Sequence, residues 1–355
     1  MPHSITGSCG KTTIKELTYQ LCKKKYSSIT SQGNMNNHIG VPLTLFTLSP
    51  KTQIAVIECG MNHPGELKKL AGIAKPTIAL LSTISSAHIG FFKNIRAIAA
   101  AKEELFQQME PNSIGIFNTD NPWIKHIYNR FIGKKHTFGI KNNADFKAHY
   151  ITFTQSGKPV FSLYEKGKKI ARIRSPLPGK HNLYNLLGAL AIARLLSLSY
   201  DEIFSVLPHL CLPPLRWETH KHKNILFILD SYNANPQSME NGLETFLKTS
   251  VEGKKICILG DMHELGGHAK KYHYLLGKKL GRSQIEHVIT YGTFSDAYKR
   301  GFLETGNHSS FLEAGNHYDI ALALAKISKK GDTVFIKGSR KCYLEKVLTE
   351  FKNIF

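Results

Sequence analysis

The segment ITGSCGKTT at residues 5–13 holds the residue types and spacing in this chain that most plainly suit chemistry. Gly7 and Gly10 permit a tight turn whose backbone N–H groups converge on an anion, at the start of the helix that TIKELTYQL begins. Lys11 supplies a cation for β- and γ-phosphates, and the Thr12 hydroxyl can ligate Mg²⁺. The full phosphate-loop pattern wants a further glycine where Ile5 stands, so for G-K-T-T alone coincidence in a basic protein is the competing reading. Glu58 ends the apolar run QIAVIE (53–58), where an open α/β sheet places its ligand-binding groups. A carboxylate there holds Mg²⁺ or positions an attacking group, or else merely meets solvent. His88, in SSAHIGFF after TIALLST, lies at another strand end, although a lone histidine is more often structural than a ligand. Lys102, in AAAKEELF, reads on its own as a solvated helix lysine.

The elements that must position these groups follow a βα rhythm. QIAVIE, the helix-like PGELKKLAGIA (64–74), TIALLST (77–83), a helix-like stretch over 94–109 and SIGIFN (113–118) alternate as around a mostly parallel sheet. Residues 145–175 alternate polar with apolar around SGKP and EKGKK turns, which predicts an antiparallel hairpin or meander added to that sheet. A helix over KHNLYNLLGALAIARLLSL (180–198) precedes Pro213 and Pro214, which suit an extended linker. The rhythm then restarts with NILFILD (224–230), a helix from about Pro236, KICILGD (255–261), a helix around 268–280, EHVITYG (286–292), a helix near 317–328, DTVFIKG (332–338) and a closing helix. The reading is α/β throughout: a phosphate-loop ATPase-like, mostly parallel domain over 1–212 with an antiparallel addition, then a Rossmann-like α/β domain over 213–355.

Composition sets the outer limits. A chain of 355 residues suits two domains, and 42% hydrophobic residues are enough to build both cores. The net charge of +21 is uneven, with 26 basic against 11 acidic residues up to Pro213 and 21 against 15 beyond it, so a polyanion belongs with the first half. A lysine-rich solvated surface accounts for much of this excess equally well. Nucleic-acid binding has only the charge in its favour, since no zinc finger, paired RNA-stacking aromatics or basic recognition helix occurs. The six cysteines form no C-x-x-C pair, no apolar run is long enough to span a membrane, and the start lacks a signal-peptide core. A cytoplasmic protein with reduced thiols, without membrane insertion, is expected.

Taken together the blocks have a recognisable order: ITGSCGKTT, GNMNNHIGVPLTL (33–45), IECGMNHPGEL (57–67), SSAHIGFFKNIRAIAAAKEELF (85–106), NTDNPW (118–123), KHNLYNLLGA (180–189), LDSYNANPQSM (229–239), LGDMHELG (259–266) and IKGSR (336–340). That order resembles the Mur ligases over essentially the whole chain. GNMNNHIGVP, SYNANP and GDMHELG favour the branch that joins D-alanyl-D-alanine to UDP-N-acetylmuramoyl-tripeptide. The resemblance implies an ATP- and Mg²⁺-dependent amide ligase of peptidoglycan precursor synthesis. ATP phosphorylates the terminal carboxylate of the nucleotide-linked peptide, and the dipeptide amine attacks the acyl phosphate.

The resemblance also implies roles for individual residues. Gly7, Ser8, Cys9, Gly10, Lys11, Thr12 and Thr13 form the phosphate cradle, with Lys11 on the phosphates and Thr12 on Mg²⁺. Glu58 and His88 are Mg²⁺ ligands, and Lys102 matches a lysine that family members carbamylate, which turns a cation into an anionic ligand or near neighbour of the metal. Asn182 and Asn185 match an adenine-contacting segment; helix capping for Asn182 and a solvent-facing place for Asn185 are the structural alternatives. Arg216 matches an arginine that reaches ATP phosphates, and Asp230 a residue near the ribose and γ-phosphate. Tyr232, Asn233 and Asn235, with Lys337, Ser339 and Arg340, are candidates for the dipeptide carboxylate, and Asn34, Asn36 and Asn37 for the muramoyl peptide; any of these can instead be turn residues. A monomer is expected. Family members carry an additional N-terminal uridine-binding domain, which this chain is expected to lack because its phosphate loop stands at the start of the sequence, and the strand leading into that loop reads as nearly missing. The sheet is therefore expected to have a gap there. An inactive ATP-binding remnant and a sibling ligase such as folylpolyglutamate synthase are the alternatives.

Overall fold

A computed structural model of the chain describes residues 1–307 and 309–354. Contacts divide the chain into two units, one of residues 1–154 with 158–212 and the other of residues 155–157 with those from 213 onward. No helix among the described residues is long and apolar enough to cross a membrane, and no disulfide links the cysteines.

The first unit runs β1 (Pro2–Thr6), α1 (Lys11–Cys22), β2 (Ser28–Thr30), α2 (Gly40–Phe46), β3 (Ile54–Glu58), α3 (Glu66–Ala74), β4 (Ile78–Leu81), α4 (Ile95–Gln107), β5 (Ile114–Asn118), α5 (Ile124–Arg130), β6 (Lys134–Gly139), β7 (Phe146–Phe153), β8 (Pro159–Glu165), β9 (Lys168–Arg174), α6 (Lys180–Leu195) and α7 (Tyr200–Val206). One sheet holds all nine strands in the order β2-β3-β1-β4-β5-β6-β7-β8-β9. Pairing is parallel as far as β7 and antiparallel from β7 to β9, as the change of pattern over 145–175 predicted. Every residue of β3 and β4 is buried, the condition under which a parallel strand reads as a continuous apolar run.

The expectation of a missing first strand is overturned. β1 is five residues long and pairs along its length with β3 on one side and β4 on the other, Ser4 facing Ile57 and Ala79. There is no gap beside the phosphate loop; β1 lies between two strands. Its sequence, PHSIT, hides it because His3, Ser4 and Thr6 are polar yet buried with Ile5. Backbone pairing on both edges carries this strand, and that is invisible to apolar periodicity. On one face of the sheet α1 and α6 pack together, with Ile14, Leu17 and Leu21 joining Leu183, Leu186 and Leu190 over Ile5, Leu80 and Phe138. The consequence for the site is topological. Neighbouring β3, β1 and β4 deliver Glu58, the phosphate loop and the loop to His88 at one sheet end.

The second unit runs β10 (Glu218–His222), β11 (Ile225–Leu229), α8 (Pro236–Lys248), β12 (Lys255–Gly260), α9 (Ala269–Gly281), β13 (His287–Tyr291), α10 (Ser295–Leu303), β14 (Ser310–Ala314), α11 (His317–Ile327), β15 (Thr333–Lys337) and α12 (Lys346–Ile354). Its six-stranded sheet has the order β10-β11-β15-β12-β13-β14 and is parallel except for β10. The βα rhythm located the four inner strands. The edge strands β10 and β14, with burial limited to intermediate positions, carry no apolar run to betray them.

Candidate active site

The phosphate loop is shaped by two glycines. Gly7 has φ +144°, and a Cβ there would lie 2.0 Å from Ser82 Oγ; Gly10 has φ +86°, and a Cβ there would lie 2.3 Å from Asn185 Oδ1. Both positions therefore exclude a side chain on conformational and steric grounds. The loop leans on the end of β4: Ser8 N–H donates to Thr83 O at 2.7 Å, Cys9 N–H to Thr83 Oγ1 at 3.1 Å, and Ser85 N–H to Ser8 Oγ at 3.0 Å. Gly10 ends the loop as the N-cap of α1, with no side chain capping that helix. Its first-turn N–H groups are thus left to an anion. Lys11 Nζ folds back onto Gly7 O at 2.9 Å, while Thr12 and Thr13 are buried in the first turn.

Glu58 is 2% exposed at the end of β3. Asn36 Nδ2 donates to its Oε1 at 2.8 Å, and its own N–H donates to Ser31 Oγ at 3.2 Å. Its other oxygen, Oε2, is buried with no hydrogen-bond partner in the protein. A buried carboxylate oxygen without a donor is costly, and a cation satisfies it. His88 is half-buried in the loop after β4, in the left-handed region at φ 63°, a conformation held by its surroundings. Asn118 Nδ2 and Asn121 Nδ2 brace that loop at Ser82 O and Ile84 O, each at 2.9 Å.

Lys102 overturns the expectation of a solvated helix lysine. It is 1% exposed on α4. Burial, reinforced by the nearby charge of Lys11, holds its amine well below the ordinary lysine range. A lysine shifted in this direction gives up its proton more readily, and only the free amine is a nucleophile toward carbon dioxide. Asn182 and Asn185 are both buried near the start of α6, whose N-cap is Gly179. Asn182 Nδ2 donates to Pro178 O at 2.7 Å and Asn185 Nδ2 to Asn182 Oδ1 at 3.0 Å. Neither structural alternative holds: Asn182 is no cap, and Asn185 faces the phosphate loop instead of solvent.

In the second unit the predicted residues cluster at the ends of β11 and β15. Lys337, 3% exposed, donates to Asp230 Oδ2 at 2.6 Å, to Asp230 O at 3.2 Å and to Asn233 O at 3.5 Å. Ser339 Oγ accepts from His263 N–H at 2.9 Å and donates to Ala234 O at 3.4 Å. These two residues stitch the SYNANP, GDMHELG and KGSR loops together. Asn235 caps α8 through a capping box with Ser238. The Arg216 guanidinium lies 4.4 Å from the Tyr232 ring centroid, while Arg340 is exposed and pairs with Glu345 at 2.6 Å.

Residues 5–193 match the Mur ligase middle domain and residues 215–340 the Mur ligase, glutamate ligase domain. The chain belongs to the Mur ligase family. It is 32% identical to the UDP-N-acetylmuramoyl-tripeptide--D-alanyl-D-alanine ligase of Escherichia coli K12, over 97% of this chain and 75% of that protein. It is 33% identical to the enzyme of the same name from Buchnera aphidicola subsp. Baizongia pistaciae, over 98% and 74%. Among solved structures it is similar to MurF from Acinetobacter baumannii, with TM-score 0.89 and 26% identity over 99% of this chain and 76% of that one. It is also similar to the MurF ligase of Thermotoga maritima in complex with ADP, with TM-score 0.86 and 28% identity over 99% and 79%.

For this Mur ligase the cradle and the orphaned oxygen of Glu58 fit a magnesium nucleotide. No three His, Cys, Asp or Glu side chains among the described residues converge as a self-sufficient metal cage. A Mg²⁺ ion held there would need hydroxyl, phosphate and water oxygens as its further ligands. The three asparagines of GNMNNH separate: Asn34 is exposed, Asn36 holds Glu58, and Asn37 Oδ1 accepts from Ile39 and Gly40 N–H just before α2. Sequence reasoning missed Ser82 and Thr83 as the loop's support; two hydroxyls directly after an apolar strand beside the loop were the available signal.

Proposed function

We propose that this Mur ligase joins D-alanyl-D-alanine to UDP-N-acetylmuramoyl-tripeptide at the expense of ATP, as a cytoplasmic step of peptidoglycan precursor synthesis. The observation that carries the reading is alignment of 97% of the chain with a relative named for that reaction. The complex of the Thermotoga maritima MurF ligase with ADP supports nucleotide use. In this reading the first-turn amides of α1 and Lys11 hold the phosphates, and Thr12, Glu58, His88 and a carbamylated Lys102 form the magnesium side of the site. A magnesium ion bound there would supply charge neutralisation for the transferring phosphate. That carboxylate is a poor electrophile; its phosphorylation gives a leaving group, and the dipeptide amine then forms the amide and releases phosphate. Asn185 lies beside Gly10 of the phosphate turn, and Asn182 is assigned to the adenine. Asn34, exposed, is assigned to the muramoyl peptide, and half-buried Tyr232 and exposed Arg340 to the dipeptide. The deciding assay is phosphate release with ATP and Mg²⁺. Release that requires both UDP-muramoyl-tripeptide and D-alanyl-D-alanine supports the ligase, whereas nucleotide binding with no release under any combination identifies a remnant.

A further inference from the structure

Lys15 is a lysine with 0% exposure in the second turn of α1, one helical turn beyond Lys11. A leucine or methionine would fill such a position without the cost of removing an ammonium from water. The charge is matched: Nζ donates to Ser31 O and, at 3.4 Å, to Gly33 O, and it lies 2.8 Å from Glu16 Oε1. Two of these acceptors belong to the start of the asparagine loop. Ser31 faces both ways, its carbonyl to Lys15 and its hydroxyl to the Glu58 N–H. Five residues on, Asn36 donates to Glu58 Oε1, and its carbonyl accepts the Gly60 N–H at 2.8 Å. A Cβ at Gly60 would come within 2.8 Å of the Asn36 amide, so that end of the loop is closely seated as well.

We propose that Lys15 is a positioning residue: from the phosphate-loop helix it fixes the register of the Ser31–Asn37 loop, so that Asn36 occupies one oxygen of Glu58 and the other stays directed at the metal. The assignment rests on the reading of Glu58 as a magnesium ligand, but the grip on the loop is testable without nucleotide or metal. The buried ammonium and the carboxylate are linked through one short stretch of backbone, and a merely space-filling lysine would have no acceptors there.

The test compares wild type, Lys15→Met, Asn36→Ala and the double variant. Hydrogen exchange on protein alone should be at least roughly 10-fold faster over residues 32–37 in Lys15→Met, with β3 and β4 amides unchanged. The Mg²⁺ concentration needed for half-maximal ATP binding should rise by roughly 10-fold, the scale of losing an outer support of a metal ligand. The double variant should be no worse than Asn36→Ala, because both act through one contact. Unchanged exchange over 32–37, or losses that multiply in the double variant, would overturn the proposal. Should Lys15→Met not fold, the same two measurements on Lys15→Arg decide: altered values in both support the proposal, and wild-type values in either overturn it. If wild type binds no Mg²⁺-ATP, the ligase reading fails, while loop exchange still reports on Lys15.

Discussion

Acid should loosen the strand that carries the phosphate loop, and His3 is the group responsible. It sits in β1 between β3 and β4, 1% exposed, with Nδ1 3.4 Å from Thr77 Oγ1 and Nε2 buried without a partner. Burial penalises the imidazolium and lowers its pKa from 6.5 to about 3. Because the folded value is the depressed one, the neutral ring contributes stability above pH 6.5, and this is lost as pH falls toward 3. Linkage for one group with these values gives a loss of about 2 kcal/mol between pH 7 and pH 5. Other groups titrate over the same range, so the measurement is a difference between wild type and His3→Val. A Trp217→Phe background leaves Trp123 as the fluorophore, in the first unit. Urea unfolding at pH 7, 6 and 5 should give a His3→Val stability curve flatter than wild type by about 2 kcal/mol over that interval. Parallel curves would show that His3 titrates alike in the folded and unfolded chains, and the burial argument for β1 would fail.

Further predictions concern the site. Lys102→Ala should lower turnover by roughly 100-fold, the scale of losing one positioned electrostatic group, with partial recovery on adding short carboxylates; steady-state kinetics near wild type would remove Lys102 from the site. Glu58→Gln should weaken Mn²⁺ binding in the presence of ATP by roughly 10-fold or more, read by electron paramagnetic resonance, since the buried oxygen loses its charge; unchanged affinity would place the metal elsewhere. Lys337→Met should destabilise the second unit by about 3 kcal/mol, because Asp230 is left without its cation, and Asp230→Asn in the same chain should restore most of it. Trp217 fluorescence during urea unfolding checks this, and a loss below about 1 kcal/mol would mean that the pair adds nothing.

Much of the fold is legible in short stretches of sequence. β3 and β4, within QIAVIE and TIALLST, are buried on both faces, and such strands announce themselves as apolar runs. The antiparallel addition shows in its alternation, and α8 in Asn235, Pro236 and Ser238. The second unit's edge strands escape this reading because half-exposed edges need no apolar run, and β1 escapes it because its pairing partners are 50 and more residues away. At the site, Gly7, Gly10, Lys11 and Glu58 are legible because a phosphate turn and a strand-end acid are local patterns. The loop supports Ser82 and Thr83, the Asn36–Glu58 contact and the pairing of Lys337 with Asp230 are not, since each joins residues from separate elements.

The sequence by itself therefore determined the α/β class, the glycine turn and the order of blocks that marks the family, all written in neighbouring residues. Only the tertiary structure decided which groups are buried and what meets them. Lys102 illustrates the difference: on a helix pattern it is a surface lysine, and only the packing around α4 removes it from water and lowers the pKa of its amine. Asn36 shows the same, as its neighbours Asn34 and Asn37 have identical chemistry and different partners. Burial and pairing are set by residues distant along the chain, so no local window contains them.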